Sequence, residues 1–170
     1  MLYYITGGER SGKSSYAQNL ALQLSNTPYY LATSRIWDDN HRKRIDRHIA
    51  DRDQRWTSIE EEKQLAKVIQ DKSVVVIDCV TLWLTNFFVD TKNDIELSLS
   101  QAKNEFDKLL EKDATIIIIS NEIGMGVHAA TEIGRKFTEL QGWMNQHIAK
   151  HADKAILMVS GIPVEIKNAK

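Results

Sequence analysis

The stretch Gly7-Gly8-Glu9-Arg10-Ser11-Gly12-Lys13-Ser14 fits G-x-x-x-x-G-K-S in full. It lies between a short apolar run, Leu2 to Thr6, and a segment in which Ala17, Leu20, Ala21 and Leu24 recur at i, i+3, i+4 and i+7. Strand, glycine-rich loop and helix, in that order, are the setting in which this motif holds phosphate. Glycines let the backbone wrap with its N–H groups turned inward, and the N-terminus of the following helix adds partial positive charge, so main chain carries most of the anion's binding. Lys13 is expected to reach the terminal phosphates and Ser14 to place its hydroxyl on Mg²⁺, a hard cation that takes few protein ligands. A glycine turn joining strand to helix without a ligand would account for the glycines but not for the Lys13-Ser14 pair.

A loop of this kind needs an acidic partner on a nearby strand. Val74-Val75-Val76-Ile77-Asp78 supplies an apolar run ending in a carboxylate, making Asp78 the candidate Mg²⁺ group, either as a direct ligand or one step behind the ligands. The alternative for Asp78 is an ordinary turn or helix-capping aspartate. Further β-rich runs occur at Tyr29 to Ala32, Thr115 to Ile119 and Ala155 to Val159. Their continuity suits strands buried on both faces of a parallel sheet. Between them, Leu99, Ala102, Phe106, Leu109 and Leu110 mark one amphipathic helix, and Phe137, Leu140, Met144, His147 and Ile148 another. Ser58 and Glu61 fit a capping box opening a helix with Leu65, Val68 and Ile69. Alternating strands and helices from end to end predict an α/β fold with a mostly parallel central sheet flanked by helices. With 170 residues, residues 1–170 are expected to form one nucleotide-binding domain.

The remaining composition excludes more than it assigns. Lys and Arg number 22 against 23 Asp and Glu, giving a net charge of -1 and no footprint for nucleic acid. The apolar runs fall short of the ~20 residues of a membrane span. No basic region and long apolar stretch opens the chain, so no secretory signal is read and a cytoplasmic protein is expected. A lone Cys79 agrees with a reducing compartment and reads as a small buried hydrophobe. His147 and His151 lack the glutamate of a zinc-protease helix and read as helix surface and core.

Two features invite a sharper reading. Thr91-Lys92-Asn93-Asp94 matches the guanine-reading box of switch GTPases, but Asp78-Cys79-Val80-Thr81 lacks their D-x-x-G glycine, so Asp94 reads as the cap of the helix through Leu99. Ile45, His48, Ile49 and Arg52 share one helical face, placing a histidine and an arginine within an apolar stripe. His48 is either a core histidine bonded to backbone or an imidazole aimed at phosphorus, able to form a phosphoramidate.

Together with Leu31-Ala32-Thr33-Ser34, Arg44-Ile45, Trp56, Leu82-Trp83-Leu84-Thr85-Asn86, Asn121-Glu122-Ile123-Gly124-Met125-Gly126 and Val159-Ser160-Gly161-Ile162-Pro163, these residues resemble the bifunctional adenosylcobinamide kinase/adenosylcobinamide-phosphate guanylyltransferase family of cobalamin assembly. The resemblance spans nearly the whole chain. It implies a RecA-like P-loop NTPase fold, a homotrimer with active sites between subunits, and two reactions at one nucleotide site. The first phosphorylates adenosylcobinamide with ATP or GTP. The second transfers GMP from GTP to adenosylcobinamide phosphate through a guanylylated histidine, which His48 matches. It also implies nucleotide contacts at Gly7 to Ser14, Ala32, Thr33, Ser34, Ile49, Ala50, Asp51, Arg52, Glu60 and Asp78. Two positions depart from the family: Arg47 stands where relatives often carry a second histidine, and Asp53 where a proline often follows the arginine. A kinase for another small alcohol and a nucleotide-sensing module are the alternatives, and both would lack a covalent GMP adduct.

Overall fold

The computed structural model describes residues 1–35 and 53–168. Among them the chain forms strands β1 (Leu2–Gly7), β2 (Tyr29–Ala32), β3 (Thr57–Glu60), β4 (Val74–Asp78), β5 (Thr115–Asn121), β6 (Lys154–Val159) and β7 (Ile162–Asn168). Helices α1 (Lys13–Leu24), α2 (Leu65–Val68), α3 (Val80–Asp90), α4 (Ile95–Leu110) and α5 (Glu132–His151) complete the described elements. All strands join one sheet in the order β3-β2-β4-β5-β1-β6-β7. Every neighbouring pair is parallel except β6 with β7, which is antiparallel.

The period of two along the strands divides the core. Leu2, Tyr4, Leu31, Val75, Ile77, Ile116 and Ile118 face α2 to α5, where Trp83, Leu84, Phe106, Leu140 and Met144 complete a buried layer. Tyr3, Ile5, Tyr30, Val76, Ile117, Ile119, Ile156 and Met158 face the opposite way, against Ala17 and Ala21 of α1. Burial on both faces explains why β4 and β5 read as unbroken Val/Ile runs, each fully buried side chain contributing about 1.5–3 kcal/mol. The two alanines let α1 approach the sheet closely, bringing the loop that precedes it onto the sheet's C-terminal edge. Caps hold the longer helices: Asp94 accepts from the Leu97 N–H at 2.9 Å and Thr131 from the Gly134 N–H at 3.0 Å. Asp94 is therefore a helix cap, as its sequence context indicates.

Three elements differ from the sequence reading. Ser58 does not cap a helix: it lies in β3, and Glu61 instead accepts from the Lys63 and Gln64 N–H groups at 2.9 Å each, before the four-residue α2. The strand β7 has no counterpart in that reading, since most of its residues are exposed and it carries Pro163. Nor has α3, which buries Val80, Trp83, Leu84, Asn86, Phe87 and Phe88 and so leaves no single apolar stripe. Among the described residues no helix is long and apolar enough to cross a membrane.

Candidate nucleotide site

The site forms where β1, β2, β3 and β4 end on the same edge of the sheet. Ala32 pairs in register with Glu60 on one side and with Asp78 on the other, and Gly7 lies opposite Asn121. Loop residues Gly7 to Ser14 thus share an edge with Ala32, Thr33, Ser34, Glu60 and Asp78. The segment with His48, Ile49, Ala50, Asp51 and Arg52 lies outside the described residues.

Backbone geometry shapes the loop. Gly12 opens α1 with φ 94° and no side-chain cap, unlike α4 and α5. Its following N–H groups are therefore not taken by a capping side chain, the arrangement that suits a phosphate. The Ser160-Gly161 turn between β6 and β7 rests against this loop, the Gly161 N–H donating to the Ser11 carbonyl at 2.9 Å. A Cβ on Gly12 would stand 3.2 Å from the Gly161 Cα, in a backbone region that L side chains rarely adopt. Gly12→Ala is expected to cost about 1–3 kcal/mol and to weaken nucleotide binding, measured by denaturant unfolding and by titration with GTP.

Side chains converge on the same point. The Lys13 ammonium, buried, donates to the Gly8 carbonyl at 2.5 Å and lies 3.5 Å from the Ser11 hydroxyl. Burial lowers its pKa from the ordinary value, with Cys79, Asp78 and Glu9 acting the other way. Glu9 and Arg10 are nearly fully exposed and 3.9 Å apart. Ser14 donates its hydroxyl to Asp78 Oδ2 at 2.9 Å, joining loop and β4. The same oxygen accepts from the Tyr30 hydroxyl at 2.6 Å. Asp78 is not a helix cap, because the N-cap of α3 is Cys79. A carboxylate and a hydroxyl beside a phosphate loop form an all-oxygen donor pair, which fits Mg²⁺.

Neighbouring polar groups fix the frame. Thr33 is buried; its hydroxyl donates to the Cys79 carbonyl at 2.8 Å and accepts from the Cys79 N–H at 2.9 Å. Burial pushes the Cys79 thiol up to about 12, so it is inert near neutral pH. Asn86, buried, donates to the carbonyls of Thr33 at 2.8 Å and Glu62 at 2.9 Å, tying α3 to the chain just beyond β2 and β3. On the other flank Asn145 donates to the Asn121 carbonyl at 3.2 Å and accepts from Ser120 at 2.6 Å. Neither the Tyr30 hydroxyl nor the Ser120–Asn145 pair is marked in the sequence. Within an apolar run, a tyrosine gives no sign of where its hydroxyl ends.

A strand, a glycine-rich loop with Lys13 and Ser14, and an acidic residue on β4, separated from β1 by the one strand β5, define a P-loop nucleotide-binding protein of RecA-like arrangement. The fold is shared with a prototypical ATPase from the type III secretion system of pathogenic bacteria (TM-score 0.52, 14% identity, 92% of this chain and 50% of that one). The chain belongs to the cobinamide kinase / cobinamide phosphate guanyltransferase family, whose model matches residues 3–166. It is 33% identical to the bifunctional adenosylcobalamin biosynthesis protein CobP of Pseudomonas aeruginosa, over 96% of this chain and 95% of that protein. To the corresponding CobU protein of Escherichia coli K12 it is 34% identical, over 98% of this chain and all of the relative.

Proposed function

We propose that this chain phosphorylates the aminopropanol hydroxyl of adenosylcobinamide with ATP or GTP, then transfers GMP from GTP to adenosylcobinamide phosphate, releasing pyrophosphate. One observation carries the reading: in a member of this family, Ser14 of the phosphate loop and Asp78 of β4 meet at 2.9 Å beside a buried Lys13. Phosphoryl transfer asks mainly for positioning and charge neutralisation, and these groups supply both. Ser14 and Asp78 would hold Mg²⁺, which when bound neutralises charge on the phosphate oxygens. Loop N–H groups orient the triphosphate, and Lys13 screens its terminal phosphates.

In the guanylyl transfer, His48 is the proposed nucleophile. Its neutral ring nitrogen attacks the α-phosphorus, an N–P bond forms, the bond from that phosphorus to the bridging oxygen breaks, and pyrophosphate leaves with the electron pair. A phosphate oxygen of the corrinoid then displaces GMP from nitrogen and restores the imidazole. Ala32 to Ser34, Ile49 to Arg52 and Glu60 are the proposed nucleotide contacts. Cytoplasmic operation and a homotrimer with sites between subunits belong to the same proposal, supported by the family's motifs along the chain.

Adenosylcobinamide incubated with γ-labelled ATP should acquire label, and addition of GTP should then yield adenosylcobinamide-GDP with one pyrophosphate per product. Phosphorylation of some other small alcohol, with no transfer to either corrinoid, would contradict the proposal.

A further inference from the structure

The Asp78 carboxylate is held from two sides, and only one belongs to the phosphate loop. Ser14 donates to Oδ2 from α1, while Tyr30 donates to that same oxygen from β2 at 2.6 Å. The Tyr30 side chain is only 6% exposed and packs in the layer with Tyr3, Ala17, Val76 and Cys79, so the core fixes its ring. Against it stands Trp56, edge to face with ring centroids 6.1 Å apart and planes at 79°. Trp56 directly precedes β3 and closes, in sequence, the stretch that contains His48 and Arg52.

We infer that Tyr30 is a positioning residue for the divalent cation, and that Trp56 braces it. A carboxylate at a strand end can rotate about its last torsion, and a cation between it and a serine hydroxyl needs one rotamer. Both hydroxyls lie on Oδ2. Ser14 would be drawn on to hold the cation, whereas the Tyr30 hydroxyl belongs to a core-fixed ring and would keep its hydrogen bond to Asp78 Oδ2, holding the carboxylate in place. A phenylalanine would fill the same space and leave Asp78 free to turn. The inference rests on the reading of this edge as a Mg²⁺–nucleotide site and is independent of which acceptor follows.

The test is calorimetric titration of the full chain with guanosine 5′-[β,γ-imido]triphosphate, in Mg²⁺ and again in EDTA. Wild type, Tyr30→Phe and Trp56→Leu are compared, with thermal unfolding as a check on folding. Wild type should bind more tightly with Mg²⁺. Tyr30→Phe should lose about tenfold of affinity in Mg²⁺ and none in EDTA, as expected for a hydrogen bond to a charged group. Trp56→Leu should lose about threefold in the same direction. Equal losses with and without Mg²⁺ would mean that Tyr30 only supports the fold, and an undiminished Mg²⁺ gain in Tyr30→Phe would show that it does not orient Asp78; either overturns the inference alone. A wild type that binds without any Mg²⁺ gain would overturn the metal reading as well, and one that does not bind would overturn the nucleotide site itself.

Discussion

Lys13→Ala should lower phosphoryl transfer by on the order of 10²- to 10³-fold, the scale seen when one preorganised donor to developing charge is removed. The side chain is buried and its ammonium is held at the loop by the Gly8 carbonyl. Desolvation already lowers its pKa, so this cation is costly to keep in the folded protein and its removal relieves that cost. Thermal stability without nucleotide should therefore stay level or rise while activity collapses. Kinase assay and thermal unfolding of the same preparation check both halves. A variant that unfolds but retains turnover per folded molecule would show that Lys13 serves structure, not phosphate.

The second large effect separates the two reactions. His48→Ala should abolish GMP transfer by at least about 10³-fold, since it removes the atom that takes GMP in the proposed mechanism. Phosphorylation of adenosylcobinamide should keep much of its rate, because the attacking group there is the acceptor's own hydroxyl and the loop is intact. Parallel assays of both products on one enzyme sample give the comparison. Equal loss of both in a folded variant would assign His48 to nucleotide binding instead of covalent chemistry.

What can be read from the chain follows from which signals are local. The phosphate loop is contiguous, and its flanks carry their own periodicity, so Gly7 to Ser14 and the strand before them are legible together. Asp78 is legible because strands buried on both faces leave long Val/Ile runs, and a carboxylate ending one is conspicuous. An edge strand leaves no such mark. Only Ile59 of β3 is even half-buried, and the Ser58–Glu61 spacing imitates a helix start. Among the described residues the strand β7 pairs only with β6 and is mostly exposed, so its pattern resembles a loop. The helix α3 fails the stripe test for the opposite reason, being packed on most sides. Tyr30 is the instructive omission: its ring counts toward a strand, while its use depends on a hydroxyl meeting a residue 48 positions away. Contacts of that kind exist only once the sheet has formed.

Intact-protein mass spectrometry after incubation with GTP and Mg²⁺, without any corrinoid, tests the two-step account most directly. The account predicts a mass gain of one GMP, stable to base, labile to acid, discharged by adenosylcobinamide phosphate and missing from His48→Ala. A folded protein that turns GTP and adenosylcobinamide phosphate into product without ever carrying that mass, or one that carries it equally in His48→Ala, would contradict it.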